Sequence, residues 1–304
     1  MNTDELQDFL DDLVIRMGSM RERGRVASYI PELARVDPRQ FGISVCLASG
    51  EQLSAGDAAV PFSIQSISKV FALAIVLRWQ GDLLWERVGI EPSNYAFNSV
   101  EELEKRNGKP RNPFVNAGAL VTTDAMLDTA DGPRAMDALL AFLRTAANDS
   151  EIEANERVAE SEIATADRNF ALAYFLRSCG NLHHSCEQVL QTYSRQCAVQ
   201  MSCEQLARAG RFLAGFGERE LLDDLLSRHI NALMLTAGHY NGSAQYVYAT
   251  GFPGKSGVGG GILSVIPHTA AIAVWSPGLN DHGNSQLGTQ AMQELSSFTD
   301  WSIF

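Results

Sequence analysis

Apolar residues recur along this chain with different spacings, and each spacing predicts a different element. Near the N-terminus, apolar positions 6, 9, 10, 13, 14 and 17 repeat at helical spacing and predict an amphipathic helix. Two runs rich in β-forming residues then flank a Ser49-Gly50 turn, which is typical of a hairpin. From Ser66 to Gln80 the chain is apolar nearly all round, which predicts a buried helix that ends at Gly81.

The pattern changes twice more towards the C-terminus. Helical spacing dominates from Ala117 to about Phe216, and a further helix is predicted from Glu220 to Thr236. Short segments rich in β-forming residues follow, separated by Gly, Pro or His-Thr turns, and they predict strands in GSAQYVYATG, GGGILSVIPH and TAAIAVWSP. The last segment, SQLGTQAMQELSSF, returns to helical spacing.

This order of elements predicts the fold class. Hairpins at both ends of the chain imply an antiparallel sheet, and the helical block between them forms a second lobe, so we expect an α/β (α+β) protein. We expect a single domain over residues 1–304, with a sheet lobe at about 1–65 and 218–304 and a helical lobe at about 66–217. A cleft between such lobes is the usual place for a ligand site.

Composition narrows the classes of function. Asp and Glu (36) outnumber Lys and Arg (24), so the net charge of −12 argues against a nucleic-acid partner or an anionic membrane. The longest strongly apolar run, residues 70–77, is too short to span a bilayer, and the N-terminus lacks the features of a signal peptide. The five cysteines include no C-x-x-C pair and no zinc-ligand spacing. We therefore expect a cytoplasmic protein with reduced thiols that serve as packing residues, without a metal or organic cofactor.

A Ser-x-x-Lys motif at residues 66–69 is the first candidate for chemistry. The spacing of three places the Ser66 hydroxyl and the Lys69 amine on one face of a helix. A serine becomes a good nucleophile when a base takes its proton, and a buried lysine with a lowered pKa can be that base. A helix-capping serine followed by a surface lysine would show the same four letters.

The second candidate is Lys255-Ser256-Gly257, which precedes a glycine-rich run. It does not match a phosphate-binding loop, because Ala249 stands where that motif needs glycine. It fits an edge strand of K-[ST]-G type, in which Gly257 lets the backbone approach a ligand, or a glycine-rich strand that packs closely. The order of the two motifs matches the penicillin-recognising serine hydrolases, although the S-D-N motif of that class is absent.

Longer blocks resemble one family over about nine-tenths of the chain, from Gly24 onwards. The blocks GRVASYIPELARVDP, PFSIQSISKVFAL, NPFVNAGAL, ESEIATADRNFALAY and GFPGKSGVGGGILSVIP resemble the serine-dependent glutaminases. The resemblance implies a serine β-lactamase-like fold and an amidohydrolase that converts L-glutamine to L-glutamate and ammonia through a γ-glutamyl-serine ester. It also implies a homo-oligomer, either a dimer or a tetramer.

The resemblance assigns roles to individual residues. The nucleophile falls on Ser66, its partner lysine on Lys69 and a catalytic tyrosine on Tyr240, and whether Lys69 or Tyr240 is the base towards Ser66 stays open. The substrate contacts fall on Tyr29, Gln65, Ser66, Asn116, Glu162, Asn169, Tyr193, Tyr240 and Val258. Supporting positions are Lys255, Ser256 and Gly257, with Lys255 expected to lower the pKa of Lys69 if the two lie close.

The chemistry of glutamine is consistent with these assignments. Glu162 is the natural counter-charge for the α-ammonium group, while Asn116, Asn169 and Tyr29 can donate to the α-carboxylate. The backbone N–H groups of Ser66 and Val258 would form the oxyanion hole.

Two alternatives remain at this point. One is a penicillin-recognising hydrolase or peptidase, which the missing S-D-N motif disfavours. The other is a non-catalytic glutamine sensor on the same fold, which would need no nucleophile.

Overall fold

The computed structural model describes residues 2–129, 134–217 and 221–304. Its α-helices are α1 (Thr3–Ser19), α2 (Ser68–Gln80), α3 (Leu84–Arg87), α4 (Val100–Lys105), α5 (Asn116–Thr129), α6 (Ala135–Ala147), α7 (Glu156–Ala164), α8 (Asp167–Ser178), α9 (Cys186–Cys197), α10 (Cys203–Ala209), α11 (Asp224–Ala237), α12 (Ser243–Thr250) and α13 (Gln286–Thr299). Among the helices of these three ranges, none is long and apolar enough to cross a membrane.

Within the described ranges, the strands form one five-stranded sheet and two small ones. They are β1 (Arg25–Val26), β2 (Gly42–Leu47), β3 (Gln52–Gly56), β4 (Phe62–Ser63), β5 (Glu153–Ala154), β6 (Val199–Met201), β7 (Gly254–Ser256), β8 (Gly261–Ile266), β9 (Ala270–Trp275) and β10 (Gly278–Leu279). The main sheet has the order β3-β2-β9-β8-β7, and all its neighbouring strands are antiparallel. It therefore unites both ends of the chain, as the sequence predicts.

The central strand β9 shows how the sheet separates two cores. Alternate residues of a strand point to opposite faces. Ile272 and Val274 pack against α1 and α13 on one face, whereas Ala271, Ala273 and Trp275 contact the helical block on the other. The two alanines are small, so the helical block packs close to this face of the sheet.

The predicted helical block is confirmed over the described residues, with one difference that matters for the site. Helix α2 is buried on every side from Ser68 to Leu77 and ends at Gly81, whose φ of 55° favours glycine. It begins at Ser68, and Ser66 lies just before it in a short 3₁₀ turn over residues 65–67. The helix predicted from Glu220 to Thr236 is observed as α11. Glu220 itself lies outside the described ranges, and the predicted lobe boundary at 217/218 borders residues 218–220, which also lie outside them.

The prediction of a strand in GSAQYVYATG is wrong. This segment forms α12, in which Ser243, Tyr246 and Thr250 are buried while Tyr248 is 95% exposed. The buried positions lie three and four residues apart, which is helical spacing. Tyrosine and valine favour strands locally, but packing against α11 and α13 overrides that preference.

Candidate active site

The turn that carries Ser66 links β4 to α2. Gln65 opens it with a φ of 48°, in the left-handed region that is unfavourable for most side chains. Ser66 is 7% exposed and lies in the first turn of a short helix, where backbone N–H groups lack intrahelical partners. The strained turn thus presents a nearly buried hydroxyl next to backbone donors.

Lys69 follows one turn later and is buried at the start of α2. Its Nζ donates to the Phe114 carbonyl oxygen at 3.1 Å and to Asn116 Oδ1 at 2.8 Å. Burial lowers the pKa of Lys69 to about 8, while the charge of Glu162 opposes that shift. An amine with this pKa is partly neutral near pH 8 and is able to accept a proton.

The segment with Lys255 and Ser256 is β7, an edge strand of the main sheet, as predicted. Lys255 is fully buried, and its Nζ donates to the carbonyl oxygens of Gly238 and Ser256. Burial and the nearby charge of Lys69 hold the pKa of Lys255 well below its usual range. The charges of the two lysines therefore interact, and the expected lowering of the pKa of Lys69 by Lys255 stays a prediction.

Tyr240 lies beneath the pocket, with its ring 4.4 Å from Lys255 Nζ. It too has a left-handed backbone, with a φ of 56°. Its buried hydroxyl has no partner of normal hydrogen-bond geometry among the described residues. Burial raises the pKa of Tyr240 to about 12, and the adjacent hydroxyls of Ser66 and Ser256 oppose that rise. Tyr240 is therefore a neutral phenol close to the predicted nucleophile.

The turn after β7 is pressed against the turn that carries Ser66. A Cβ atom at Gly257 would lie 2.5 Å from the Ile64 carbonyl oxygen, and one at Gly259 would lie 2.3 Å from the Ser63 carbonyl oxygen. Gly257 thus permits contact with protein backbone next to the predicted nucleophile, as in the second of the two alternatives, a glycine-rich segment that packs closely. Between them, the Val258 N–H makes no turn hydrogen bond within the described residues.

A cavity of about 190 Å³ opens above Ser66. Eight predicted contact residues line it: Tyr29, Gln65, Ser66, Asn116, Glu162, Asn169, Tyr193 and Val258. Lys69 and Lys255 are buried, Tyr240 is half-buried with a buried hydroxyl, and none of these three residues lines the cavity. Two larger surface depressions, of about 780 and 900 Å³, contain none of the predicted residues.

Glu162 provides the buried carboxylate of this cavity. Gln65 Nε2 donates to its Oε2 at 3.2 Å. Burial raises the pKa of Glu162 to about 7, although hydrogen bonds from Cys197 and Gln65 and the charge of Lys69 all lower it. The carboxylate is thus poised between its neutral and ionised forms at neutral pH.

Asn116 and Asn169 connect this cavity to Lys69. Asn116 Oδ1 accepts from Lys69, and its Nδ2 donates to Asn169 Oδ1 at 2.9 Å. Both ends of the Asn116 amide are therefore engaged. The Asn169 amide N–H₂ group makes no hydrogen bond within the described residues and is free to donate to a ligand.

Sequence reasoning missed several residues of the site. Phe97 packs on Tyr240 with ring centroids 4.7 Å apart, and Arg168 Nε donates to the Asn98 carbonyl oxygen at 3.0 Å at the rim. Cys197, expected to be a simple packing residue, lies close enough to Glu162 to lower the pKa of that carboxyl. The remaining unpredicted lining residues are Ile30, Thr165 and Ala166. Arg168 immediately precedes Asn169, which is the one signal in the sequence that could have marked it.

A group of possible metal ligands lies elsewhere, at the end of α5. Asp124, Asp128 and His183 place oxygen and nitrogen atoms within 4.8 Å of one another. Asp124 is already an acceptor for Arg87 and for the backbone N–H groups of His183 and His184. Its carboxylate is therefore fully used in holding the protein together.

Comparisons with known proteins agree on one family. A family model described as Glutaminase matches residues 24–304. A protein of Agrobacterium fabrum (strain C58) named glutaminase is 53% identical over 305 residues, 99% of each chain. A solved structure of a probable glutaminase, YbaS, has a TM-score of 0.93 at 33% identity, covering 100% of this chain and 99% of that one.

A second solved structure carries a bound compound. It is a probable glutaminase from Bacillus subtilis complexed with 6-diazo-5-oxo-L-norleucine, with a TM-score of 0.88 at 31% identity over 98% of this chain and 96% of that chain. These likenesses and the sheet topology confirm the predicted serine β-lactamase-like class, an antiparallel sheet flanked by helices with a helical block inserted. From residue 24 onwards the family model covers the whole site described above, and this chain belongs to the glutaminase family.

Proposed function

We propose that this protein is an amidohydrolase that converts L-glutamine to L-glutamate and ammonia through an ester on Ser66. One observation carries the proposal: a nearly buried serine and a lysine with a pKa of about 8 lie under a cavity that also contains a buried carboxylate. This arrangement supplies a nucleophile, a base and a site for an ammonium group together.

The two polar groups at the head of glutamine match opposite parts of the cavity. Glu162 binds the α-ammonium group, since an ionised carboxylate is its natural partner. Asn169 and Tyr29 donate to the α-carboxylate, and Asn116 orients Asn169 from below. The norleucine compound in the complex of the Bacillus relative carries the same amino-acid head group as glutamine, which supports a ligand of this class.

Acylation begins when Ser66 Oγ attacks the side-chain carbonyl carbon of glutamine. Its proton leaves to a base, and a tetrahedral oxyanion forms between the N–H groups of Ser66 and Val258. A single such donor contributes about 10²–10³-fold to kcat in related acyl transfers. Collapse of the intermediate breaks the C–N bond, and the leaving nitrogen takes a proton and departs as ammonia. Water then attacks the ester by the same route, which releases glutamate and restores the Ser66 hydroxyl.

Two observations bear on the identity of the base. The pKa of Lys69, lowered to about 8, suits proton acceptance, whereas the pKa of Tyr240, raised to about 12, suits proton donation. The Tyr240 hydroxyl is, however, adjacent to Ser66, while Lys69 contacts Phe114 and Asn116. On the pKa values we assign proton acceptance to Lys69, and the position of the Tyr240 hydroxyl beside Ser66 suits delivery of a proton to the leaving nitrogen.

The remaining features of the proposal concern the setting of the enzyme. We infer a single domain with a sheet lobe and a helical lobe, a homo-oligomer, and action in the cytoplasm without a nucleic-acid or membrane partner. The acidic composition and the family resemblance support these points. Sedimentation of the purified protein would test the oligomer directly.

Ammonia release from glutamine by the wild type and by Ser66→Ala is the experiment that tests this function. The wild type is expected to release ammonia and glutamate in equal amounts, and the variant to lose at least about 10³-fold in kcat. Equal release by both proteins would rule out Ser66 as the nucleophile. Turnover of a β-lactam without turnover of glutamine would favour a penicillin-recognising hydrolase, and glutamine binding without hydrolysis would favour a sensor.

A further inference from the structure

Asn284 lies behind the candidate active site, although it belongs to none of the motifs in the sequence. It follows β10 in the loop that leads into α13, and it is 3% exposed. The cavity above Ser66 is lined by other residues, so Asn284 does not meet a ligand there. Its side chain instead contacts the two segments that carry Ser256 and Tyr240.

Two hydrogen bonds fix the direction of the Asn284 amide. Ser256 Oγ donates to Asn284 Oδ1 at 2.6 Å, and Asn284 Nδ2 donates to the His239 carbonyl oxygen at 3.2 Å. Since a carbonyl oxygen only accepts, the N–H₂ end of the amide must face His239, which leaves the oxygen end for Ser256. A Cβ atom at Gly242 would lie 3.0 Å from Asn284 Nδ2, so the chain around Tyr240 also packs directly against the amide. The amide therefore bridges β7 and the residue immediately before Tyr240.

The turn at residues 239–243, which Asn284 contacts, has a strained backbone. Tyr240 has a φ of 56°, in the left-handed region that is unfavourable for a bulky side chain. Within the turn, Ser243 Oγ accepts from the His239 N–H at 3.0 Å and donates to the Tyr240 carbonyl oxygen at 2.8 Å. Among the described residues, Asn284 is the one whose side chain hydrogen-bonds to the backbone of this turn from another element.

The contacts of the Tyr240 side chain leave its hydroxyl without an anchor of its own. The ring packs on Phe97 with centroids 4.7 Å apart, and Lys255 Nζ lies 4.4 Å from the ring centroid. Both contacts are made by the ring, and the hydroxyl has no partner of normal hydrogen-bond geometry among the described residues. The position of the hydroxyl therefore follows from the position of the backbone turn.

The loop that carries Asn284 is itself fixed to the main sheet. Asn280 Oδ1 accepts from the N–H groups of His282 at 3.0 Å and Asn284 at 3.1 Å, and the Asn280 N–H donates to the Asn284 carbonyl oxygen at 2.8 Å. The next residue, Ser285, donates from its Oγ to the Ser276 carbonyl oxygen, just after β9, at 2.7 Å. The Asn284 amide is thus held in place independently of the turn that it contacts.

We propose that Asn284 is a positioning residue for catalysis: its amide fixes the turn that carries Tyr240 against β7, and so keeps the Tyr240 hydroxyl where it delivers its proton. The inference rests on the proposed function, in which Tyr240 acts on the leaving nitrogen. Asn284 does not touch the substrate and acts through Tyr240.

The kinetics of Asn284→Ala with glutamine are the first test. The turn loses its hydrogen bond, so kcat should fall about 10–100-fold, because a displacement of about 1 Å at a reacting group costs up to about 10²-fold. KM should stay within about twofold of the wild type, because the residues that line the cavity are unchanged. A raised KM with an unchanged kcat would overturn the inference.

A double-mutant cycle with Tyr240→Phe shows whether Asn284 acts through Tyr240. In that background the reacting hydroxyl is absent, so adding Asn284→Ala should change kcat by less than about twofold. The same loss of kcat in both backgrounds would overturn the inference, because Asn284 would then act on another part of the protein. Asn284→Asp has the same shape and keeps an acceptor for Ser256, but it places an oxygen against the His239 carbonyl oxygen. It should behave like Asn284→Ala in the cycle, and it answers the same question where the alanine variant does not fold.

Asn231→Ala is the matched control. Asn231 is also buried, its Nδ2 donates to the Leu213 carbonyl oxygen at 2.7 Å, and it does not line the cavity. Its loss should lower the free energy of unfolding while kcat and KM stay within about twofold of the wild type. An equal loss of kcat in Asn231→Ala and Asn284→Ala would assign both effects to general loosening of the fold and would overturn the inference.

A wild type that releases no ammonia from glutamine defeats the proposed function instead. The inference is still tested in that case by NMR of protein labelled with carbon-13 at the tyrosine Cζ atoms, in which Tyr240→Phe identifies the Tyr240 signal. That signal should shift in Asn284→Ala and Asn284→Asp and keep its position in Asn231→Ala. A Tyr240 signal that stays unmoved in both Asn284 variants would show that the amide does not position this residue.

Discussion

Two buried charged clusters in this molecule use similar side chains for opposite purposes. At the end of α5, the fully buried Asp124 pairs with Arg87 and accepts from the N–H groups of His183 and His184. Burial by itself would raise the pKa of Asp124, but the hydrogen bonds from His184 and Arg87 outweigh burial and hold the pKa below its usual value. The Asp124 carboxylate thus has both an opposite charge, on Arg87, and the dipoles of two backbone N–H groups beside it.

The cluster beneath the cavity is left unbalanced. In the described part of the chain, the hydrogen-bond partners of Lys69 and Lys255 are neutral oxygens. Burial consequently lowers the pKa of both lysines and raises that of Glu162. The contrast teaches that burial alone does not make a charged group structural: complete pairing yields stability, and incomplete pairing yields groups that titrate where catalysis needs them.

Removing Lys69 should give the largest effect and should separate stability from activity. Lys69→Met is expected to lower kcat by about 10³–10⁴-fold, because Ser66 loses its base. The same change should leave the free energy of unfolding equal or higher, because a buried amine whose hydrogen-bond partners are neutral oxygens is replaced by an apolar chain of similar length. Steady-state kinetics and urea unfolding measure the two outcomes. A strongly destabilised variant would show that Lys69 is structural, like Arg87.

Asp124→Asn should show the reverse pattern. Loss of the charge leaves the mostly buried Arg87 without its partner, so the free energy of unfolding should fall by about 2–4 kcal/mol. The kcat for glutamine at 25 °C should stay within about twofold of the wild type, since the cluster lies outside the cavity. Urea unfolding with parallel activity assays measures both quantities. A fall in kcat without a fall in stability would contradict the division into two clusters.

The titration of Glu162 should appear in the pH dependence of substrate binding. Its folded-state pKa is raised to about 7, so the ionised form that binds the ammonium group is lost as the pH falls below 7. KM should be nearly constant above pH 8 and rise about tenfold per pH unit well below pH 7. Glu162→Gln should have a high KM at every pH and no such acid limb. A wild-type KM that stays flat from pH 8 to pH 5.5 would remove Glu162 from the ammonium role.

The smallest predicted effect concerns His239, the neighbour of Tyr240. Its ring is fully buried and stacked on Tyr246 with centroids 3.6 Å apart, and neither ring nitrogen has a hydrogen-bond partner within the described ranges. His239→Leu removes these unpaired groups at similar volume and should raise the free energy of unfolding by about 1 kcal/mol. Thermal and urea unfolding measure the change. A decrease would show that the imidazole is already satisfied in solution.

The sequence predicts the elements well wherever local pattern and packing agree. The uniform apolarity of α2 and the strands β8 and β9 are read directly from spacing, and the sheet that joins both ends of the chain follows from their order. The prediction for α12 fails because its strand-favouring residues sit in a helix that tertiary contacts impose.

The site was predictable mainly from its motifs and their resemblance to known blocks. Spacing predicted that Ser66 and Lys69 come close, yet it gave no hint of the strained backbone at Gln65 and Tyr240, because φ values depend on packing between distant segments. Cys197 was missed for a similar reason. A thiol that lies near a carboxylate and one that fills a core have the same appearance in a sequence, and Cys186 at the other end of α9 shows the second case.

The glycine contacts at residues 257 and 259 determine how the specificity of this enzyme can be redesigned. Any side chain at either position would push the turn after β7 away from the Ser66 turn and would open the proposed oxyanion hole. Substitutions at these two glycines therefore cannot be used to fit new substrates into that side of the cavity. The opposite wall is built from side chains on helices and a loop, including Tyr29, Asn169 and Arg168. Libraries that aim at other amides should vary those positions and leave the glycines untouched.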